Sequence, residues 1–154
     1  MVISPSLSAG YLQLPSLTRV SSLTVKNHPT LVNLNGLPSL QMITGAMTVQ
    51  NCSQLASCSL PALTTVGTLT VQNNARLRLL SGFPSLQTIG SGGLLIQSNA
   101  ELANITAFAA LRTIGGQLAI QSNPALLGFS HAFGALSSIS FVVICARSFP
   151  VVQH

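Results

Sequence analysis

The sequence predicts an all-β fold, a parallel β-solenoid of about six coils with 23–25 residues per coil. Three observations predict it. A unit recurs, opened by Leu14, Leu37, Leu60, Phe83, Phe108 and Phe133 at spacings of 23, 23, 23, 25 and 25 residues, and self-similarity at such a period marks a stacked-coil architecture. Each of the first five units holds one short run of alternating apolar residues: Leu23/Val25, Met47/Val49, Leu69/Val71, Leu94/Ile96 and Leu118/Ile120. Period-two alternation over four or five residues marks a strand with one buried face. No window carries the 3.6 period of a helix longer than two turns.

The unit is clearest from Phe83 to Leu126, where Leu86-x-x-Ile89-Gly90 and Leu94-Leu95-Ile96-Gln97-Ser98-Asn99 are repeated as Leu111-x-x-Ile114-Gly115 and Leu118-Ala119-Ile120-Gln121-Ser122-Asn123. One strand per unit, always in the same direction, stacks into a parallel sheet with neighbours ~4.8 Å apart. Six rungs then make a rod roughly 25 Å long on that spacing. Two further apolar pairs per unit, exemplified by Leu63/Val66 and Leu77/Leu80, supply the remaining inward faces. Cys58 takes the slot that Leu34, Leu80, Ile105 and Phe129 fill elsewhere, which predicts a core thiol.

An amide follows each strand, and Asn27, Asn51, Asn73, Asn99 and Asn123 are read as one structural ladder, with Asn74 beside Asn73. Asn tolerates left-handed backbone angles and bonds its own turn through its side chain. Glycines mark other corners, and the two extra residues of the later units fall at Gly90-Ser91-Gly92-Gly93, where a bulge is expected.

Charge is the compositional outlier. Charged residues are 5% of the chain, Asp is absent, and Glu101 is the sole carboxylate side chain. The net charge of +5 therefore reflects missing acids, with the six Lys and Arg scattered along the chain. Nucleic-acid binding calls for clustered bases and stacking aromatics, and this chain has one Tyr and no Trp. No segment approaches the ~18–20 apolar residues of a spanning helix. Met1-Val2-Ile3-Ser4-Pro5 has neither the basic nor the apolar region of a signal peptide.

Catalysis is not expected. A glycosidase needs two carboxylates, and nothing around Glu101 resembles a nucleophile elbow. Glu101 shares the outward turn position of Thr30, Gln54, Arg76 and Ala125 and is read as solvated. His28 is the turn-position equivalent of Asn74, Asn99 and Asn123, while His131 and His154 lie elsewhere, so no metal site and no cofactor are expected. Three cysteines, Cys52, Cys58 and Cys145, do not make a disulfide framework, although a Cys52–Cys58 bridge stays open. Two Asn-x-Ser/Thr sequons occur, at Asn51 and Asn104, and the outward Asn104 is the better glycosylation candidate.

The outward strand positions form the candidate ligand-binding face. Thr24, Thr48 and Thr70 make one row, and Lys26, Gln50, Gln72, Gln97 and Gln121 run beside it. Higher up, the first row turns apolar at Leu95, Ala119 and Val143, which with Phe141 form a candidate partner-contact patch.

The pattern Leu-x-x-Ile-x-Gly-x-Leu-x-Ile-x-x-Asn-x-x-Leu-x-x-Leu, from about Leu14 to Ile144, resembles the receptor L-domain repeat, which is related to leucine-rich repeats. That resemblance implies a right-handed coil and a non-enzymatic, extracellular or cell-surface module for ligand recognition or adhesion. It does not extend to the flanking cysteine-rich modules of that family. The expected partner is a protein or a glycan, with self-association through the apolar patch or the open solenoid ends a further possibility. The alternative is a structural or ice- or glycan-binding solenoid using the Thr/Gln rows. Residues 1–13 are read as a partial N-terminal coil, 14–144 as the solenoid and 145–154 as a tail outside the repeat. Both ends are expected to be cuts from a longer surface protein, because solenoids need polar caps and neither end offers one.

Overall fold

The computed structural model describes residues 2–3, 13–129 and 131–145. Its strands, in chain order, are β1 (Val2–Ile3), β2 (Arg19–Val20), β3 (Leu23–Lys26), β4 (Asn33–Leu34), β5 (Met42–Gln50) and β6 (Ser57–Cys58). They continue with β7 (Thr65–Gln72), β8 (Leu79–Leu80), β9 (Thr88–Gln97), β10 (Asn104–Ile105), β11 (Thr113–Gln121) and β12 (Ser138–Cys145). The described residues contain no helix. One long parallel sheet runs β1-β3-β5-β7-β9-β11-β12, with β2 paired to β5, and two small sheets, β4-β6 and β8-β10, form on another side of the coil. The protein is a β-solenoid, and the six long-sheet rungs from β3 to β12 enclose about five turns.

Register follows the repeat. Leu23, Met47, Leu69, Leu94, Leu118 and Val142 are successive partners, as are Thr24, Thr48, Thr70, Leu95, Ala119 and Val143. The first row points inward and is fully or almost fully buried up to Leu118. That burial is why register cannot slip: a one-residue shift would turn every apolar side chain to solvent. The expected Gly90–Gly93 irregularity is present, since Val66↔Ile89 is followed directly by Thr68↔Gly93. Gly93 absorbs the bulge with φ +76°, and a Cβ there would meet the Gln117 backbone.

The unit-opening residues also stack. Phe108 lies between Phe83 and Phe133, with ring centroids 5.8 and 5.4 Å apart and nearly parallel planes. This aromatic column continues the aliphatic one made by Leu37 and Leu60; all but the partly buried Phe133 are fully buried.

At the N-terminal end, β1 pairs with β3, Val2 against Thr24 and Ile3 against Val25, which adds a short strand of the long sheet ahead of the first full unit. At the other end, Cys145 pairs with Gln121, so β12 runs one residue beyond the expected end of the repeat. The expectations for residues 4–12 and for the tail after Cys145, including Phe149 and His154, lie outside the described residues.

Candidate functional site: the outer face of the long sheet and its turn ladders

The outward rows sit where the alternation puts them. Thr24, Thr48 and Thr70 are partly exposed and in register, and so are Gln50, Gln72, Gln97 and Gln121, with Lys26 exposed at the first rung. A continuous glutamine hydrogen-bond ladder does not form. Among the described residues, one side-chain bond joins the row, from Gln72 Nε2 to Gln97 Oε1 at 3.5 Å. The Gln50 and Gln121 side chains, half-buried, make no such bond among the described residues.

A second threonine row went unread in the sequence. Thr65, Thr88 and Thr113 are direct neighbours on β7, β9 and β11, all partly exposed and outward beside the inward Val66, Ile89 and Ile114. The signal was the Thr that precedes each of these β-branched residues in the unit. The long sheet therefore carries two three-rung threonine rows, one on each side of the bulged corner.

The residues of the apolar row differ in exposure. Ala119 is buried, at 4% exposure, although its side chain is on the outer face. Its register neighbours Leu95 and Val143 on the flanking rungs are larger and half-buried. Phe141, opposite Gln117, is the patch residue that stays open, at 61% exposure.

Glu101 is not merely solvated. Its carboxylate accepts a 2.7 Å hydrogen bond from Arg78 Nε, with both side chains well exposed. Such exposed pairs are typically worth 1 kcal/mol or less, about 0.2–1 where measured. The pair therefore balances the chain's one carboxylate side chain without fixing the fold.

The single asparagine column resolves into two ladders. Asn27, Asn51 and Asn73 are exposed, adopt φ of 55–56°, and are chained by Asn51 Nδ2 donating to Asn27 Oδ1 and Asn73 Nδ2 to Asn51 Oδ1. Ser98 and Ser122 take this left-handed position in the next two rungs. One residue further on is an inner ladder of His28, Cys52, Asn74, Asn99 and Asn123, all fully buried. Here each Asn side chain reaches to the preceding rung. Asn99 Oδ1 accepts from the Asn74 N–H at 3.0 Å while Asn99 Nδ2 donates to the Val71 carbonyl at 3.1 Å. Asn123 repeats this on Asn99 and Ile96, and Asn74 on Cys52 and Val49.

Cys52 holds the same slot with poorer chemistry. Its Sγ lies 3.9 Å from the Val25 carbonyl and shares a backbone hydrogen bond with His28. His28 ends the inner ladder, with neither ring nitrogen bonded among the described residues. Cys52→Asn is therefore expected to stabilise the chain by about 0.5–1.5 kcal/mol, the net value of a well-made hydrogen bond. The check is urea unfolding, with a midpoint no higher than wild type counting against the slot assignment.

Cys52 and Cys58 are both free and buried, so the bridge left open by the sequence is not formed. Burial pushes the Cys58 thiol from its ordinary 9.0 up to about 12, with the nearby Cys52 adding to the rise. The unfolded chain ionises first. The neutral buried thiol's contribution is therefore complete below about pH 9 and is lost progressively as pH rises toward 12. A Cys58→Ala chain should show a weaker fall in melting temperature across that window than wild type. Parallel curves would refute the assignment.

Compared with protein-family models, curated proteins and solved structures, the chain matches none of them.

Proposed function

We propose that this chain is a non-enzymatic binding module of the receptor L-domain type, working outside the cell in ligand recognition or adhesion. The observation that carries the reading is the outer face of the long sheet: its Gln row is in register over four rungs, beside a three-rung Thr row. The residues of these two rows are uncharged apart from Lys26, with Arg19 exposed on the neighbouring strand β2. Among the described residues one side-chain hydrogen bond, Gln72 to Gln97, joins the Gln row. A rigid row of hydrogen-bonding groups repeating every ~4.8 Å suits an extended partner with many hydroxyls or amides of its own.

The test reads binding on that face. Wild type is applied to an array of neutral and anionic oligosaccharides and to an array of extracellular protein domains. The Gln72→Arg/Gln97→Arg double variant should lose the wild-type signal with an unchanged melting temperature. A variant that binds like wild type would remove the Gln row from the site. Impermeant biotinylation of intact source cells tests the compartment, and labelling that needs permeabilised cells would sink the extracellular half.

A second reading is favoured by one observation, the paired threonine rows Thr24/Thr48/Thr70 and Thr65/Thr88/Thr113. The rows share the β7 rung and lie on either side of the bulged corner, and threonine hydroxyls repeating from rung to rung suit ice as a ligand. Thermal hysteresis of the purified chain, abolished by Thr70→Lys, supports that reading; freezing behaviour matching a buffer blank removes it.

A further inference from the structure

Two sequons are present, and the fold treats them differently. The Asn51 side chain is engaged at both ends, donating to Asn27 and accepting from Asn73. A sugar on its nitrogen would have to displace part of that ladder. Asn104 stands alone. It lies on β10 with Ile105 buried behind it, so its side chain faces out and is exposed. Among the described residues, no hydrogen bond holds its side-chain amide, and Thr106, the third sequon residue, is exposed as well.

The surroundings supply an independent observation. Leu79 is the direct register partner of Asn104 on one side, and Gly128 bridges Asn104 on the other, just after Leu127. Leu79 is 45% and Leu127 75% exposed. Outside the last rung, four large apolar residues of the described chain are exposed, namely Leu14, Val32, Leu79 and Leu127, and Leu14 is the least open of them. Two of the four flank the one free sequon. Bare apolar groups grouped on a surface mark something that lies over them, and a glycan is bulky, solubilising and confined to the surface.

We propose that Asn104 is an N-glycan acceptor whose first sugar lies over Leu79 and Leu127, and that Asn51 is not an acceptor. In the transfer, Asn104 Nδ2 forms a bond to the anomeric carbon of a polyprenyl-diphosphate oligosaccharide. The bond from that carbon to the diphosphate oxygen breaks, the diphosphate leaves with the electron pair, and Nδ2 loses one proton to the transferase's base. The small-sheet side of the coil then carries the sugar, and the Thr/Gln face of the long sheet stays clear.

The inference rests on the extracellular reading above, and the experiment separates the two by supplying a signal sequence. The full chain is directed into the secretory lumen of a eukaryotic host, and total lumenal protein is analysed, secreted or retained. Wild type should show one mobility step that peptide-N-glycosidase removes, leaving Asp at position 104 in the peptide mass spectrum. Asn104→Gln and Thr106→Ala should each abolish the step, and Asn51→Gln should keep it. Releasing the glycan from folded protein should increase the fluorescence of an apolar-surface dye. An unmodified lumenal chain, a step that survives Asn104→Gln, or dye fluorescence unchanged by release would each overturn the proposal. Failure of surface biotinylation in source cells would instead count against the compartment.

Discussion

Phe108→Ala is expected to lower stability by about 3–5 kcal/mol, the range for removing a buried aromatic ring. Phe108 is fully buried and stacked on both faces, by Phe83 at 5.8 Å and Phe133 at 5.4 Å. The cavity would sit between two rungs whose spacing is fixed by the parallel sheet, so the coil cannot collapse to fill it. Two ring–ring contacts, each worth about 0.5–1.5 kcal/mol beyond area burial, are lost together. Phe133→Ala supplies the comparison. Its ring is partly exposed and stacks on one face among the described residues, so the loss should be roughly half, by the same cavity scale. Urea unfolding of the two variants gives the ratio. Equal losses would mean that the column does not act as a continuous stack.

The coil was legible because its period is enforced by burial. Every rung must turn the same side chains inward, so Leu69, Val71, Leu94 and Ile96 declare parity as plainly in the sequence as in the structure. The outward rows follow from that parity alone. Features that depend on what a neighbour does were harder to read. Ala119 has outward parity and is nonetheless buried, between larger register neighbours, Leu95 and Val143, on the adjacent rungs. Thr65, Thr88 and Thr113 were hidden in the repeat consensus, since they precede an inward residue on the other side of the bulge. Glu101 could be placed outward, but its pairing with Arg78, 23 positions away, needs the coil to close.

The asparagine column shows the most instructive mismatch. One Asn per unit reads as one ladder, yet the column steps inward by a residue between Asn73 and Asn74. The outer position demands a left-handed backbone, which Asn27, Asn51 and Asn73 tolerate and which Ser98 and Ser122 also adopt. The inner position demands a donor and an acceptor on one short side chain, and Asn74, Asn99 and Asn123 supply both. Two physical requirements met by the same residue type look like a single motif in a sequence.

That distinction sets the second large effect. Asn99→Ala is expected to cost about 2–4 kcal/mol, from an orphaned buried N–H at about 1–3 kcal/mol and the void beside it. The substitution leaves the Asn74 N–H without its 3.0 Å acceptor and strips the Val71 carbonyl of its 3.1 Å donor, both out of reach of water. Asn73→Ala should cost about 1 kcal/mol, since Ala is less at ease in the left-handed region but the site is exposed. Gln72→Ala, on the outer face, should stay within about 0.5 kcal/mol. The expected order is therefore Asn99, then Asn73, then Gln72, which places the larger turn penalty at the buried position and not at the first Asn of the pair. Denaturant midpoints of the three single variants measure it directly. If Asn73→Ala proves as costly as Asn99→Ala, the inner ladder contributes no more than the outer one, and burial of the amide is not what holds the rungs together at the turn.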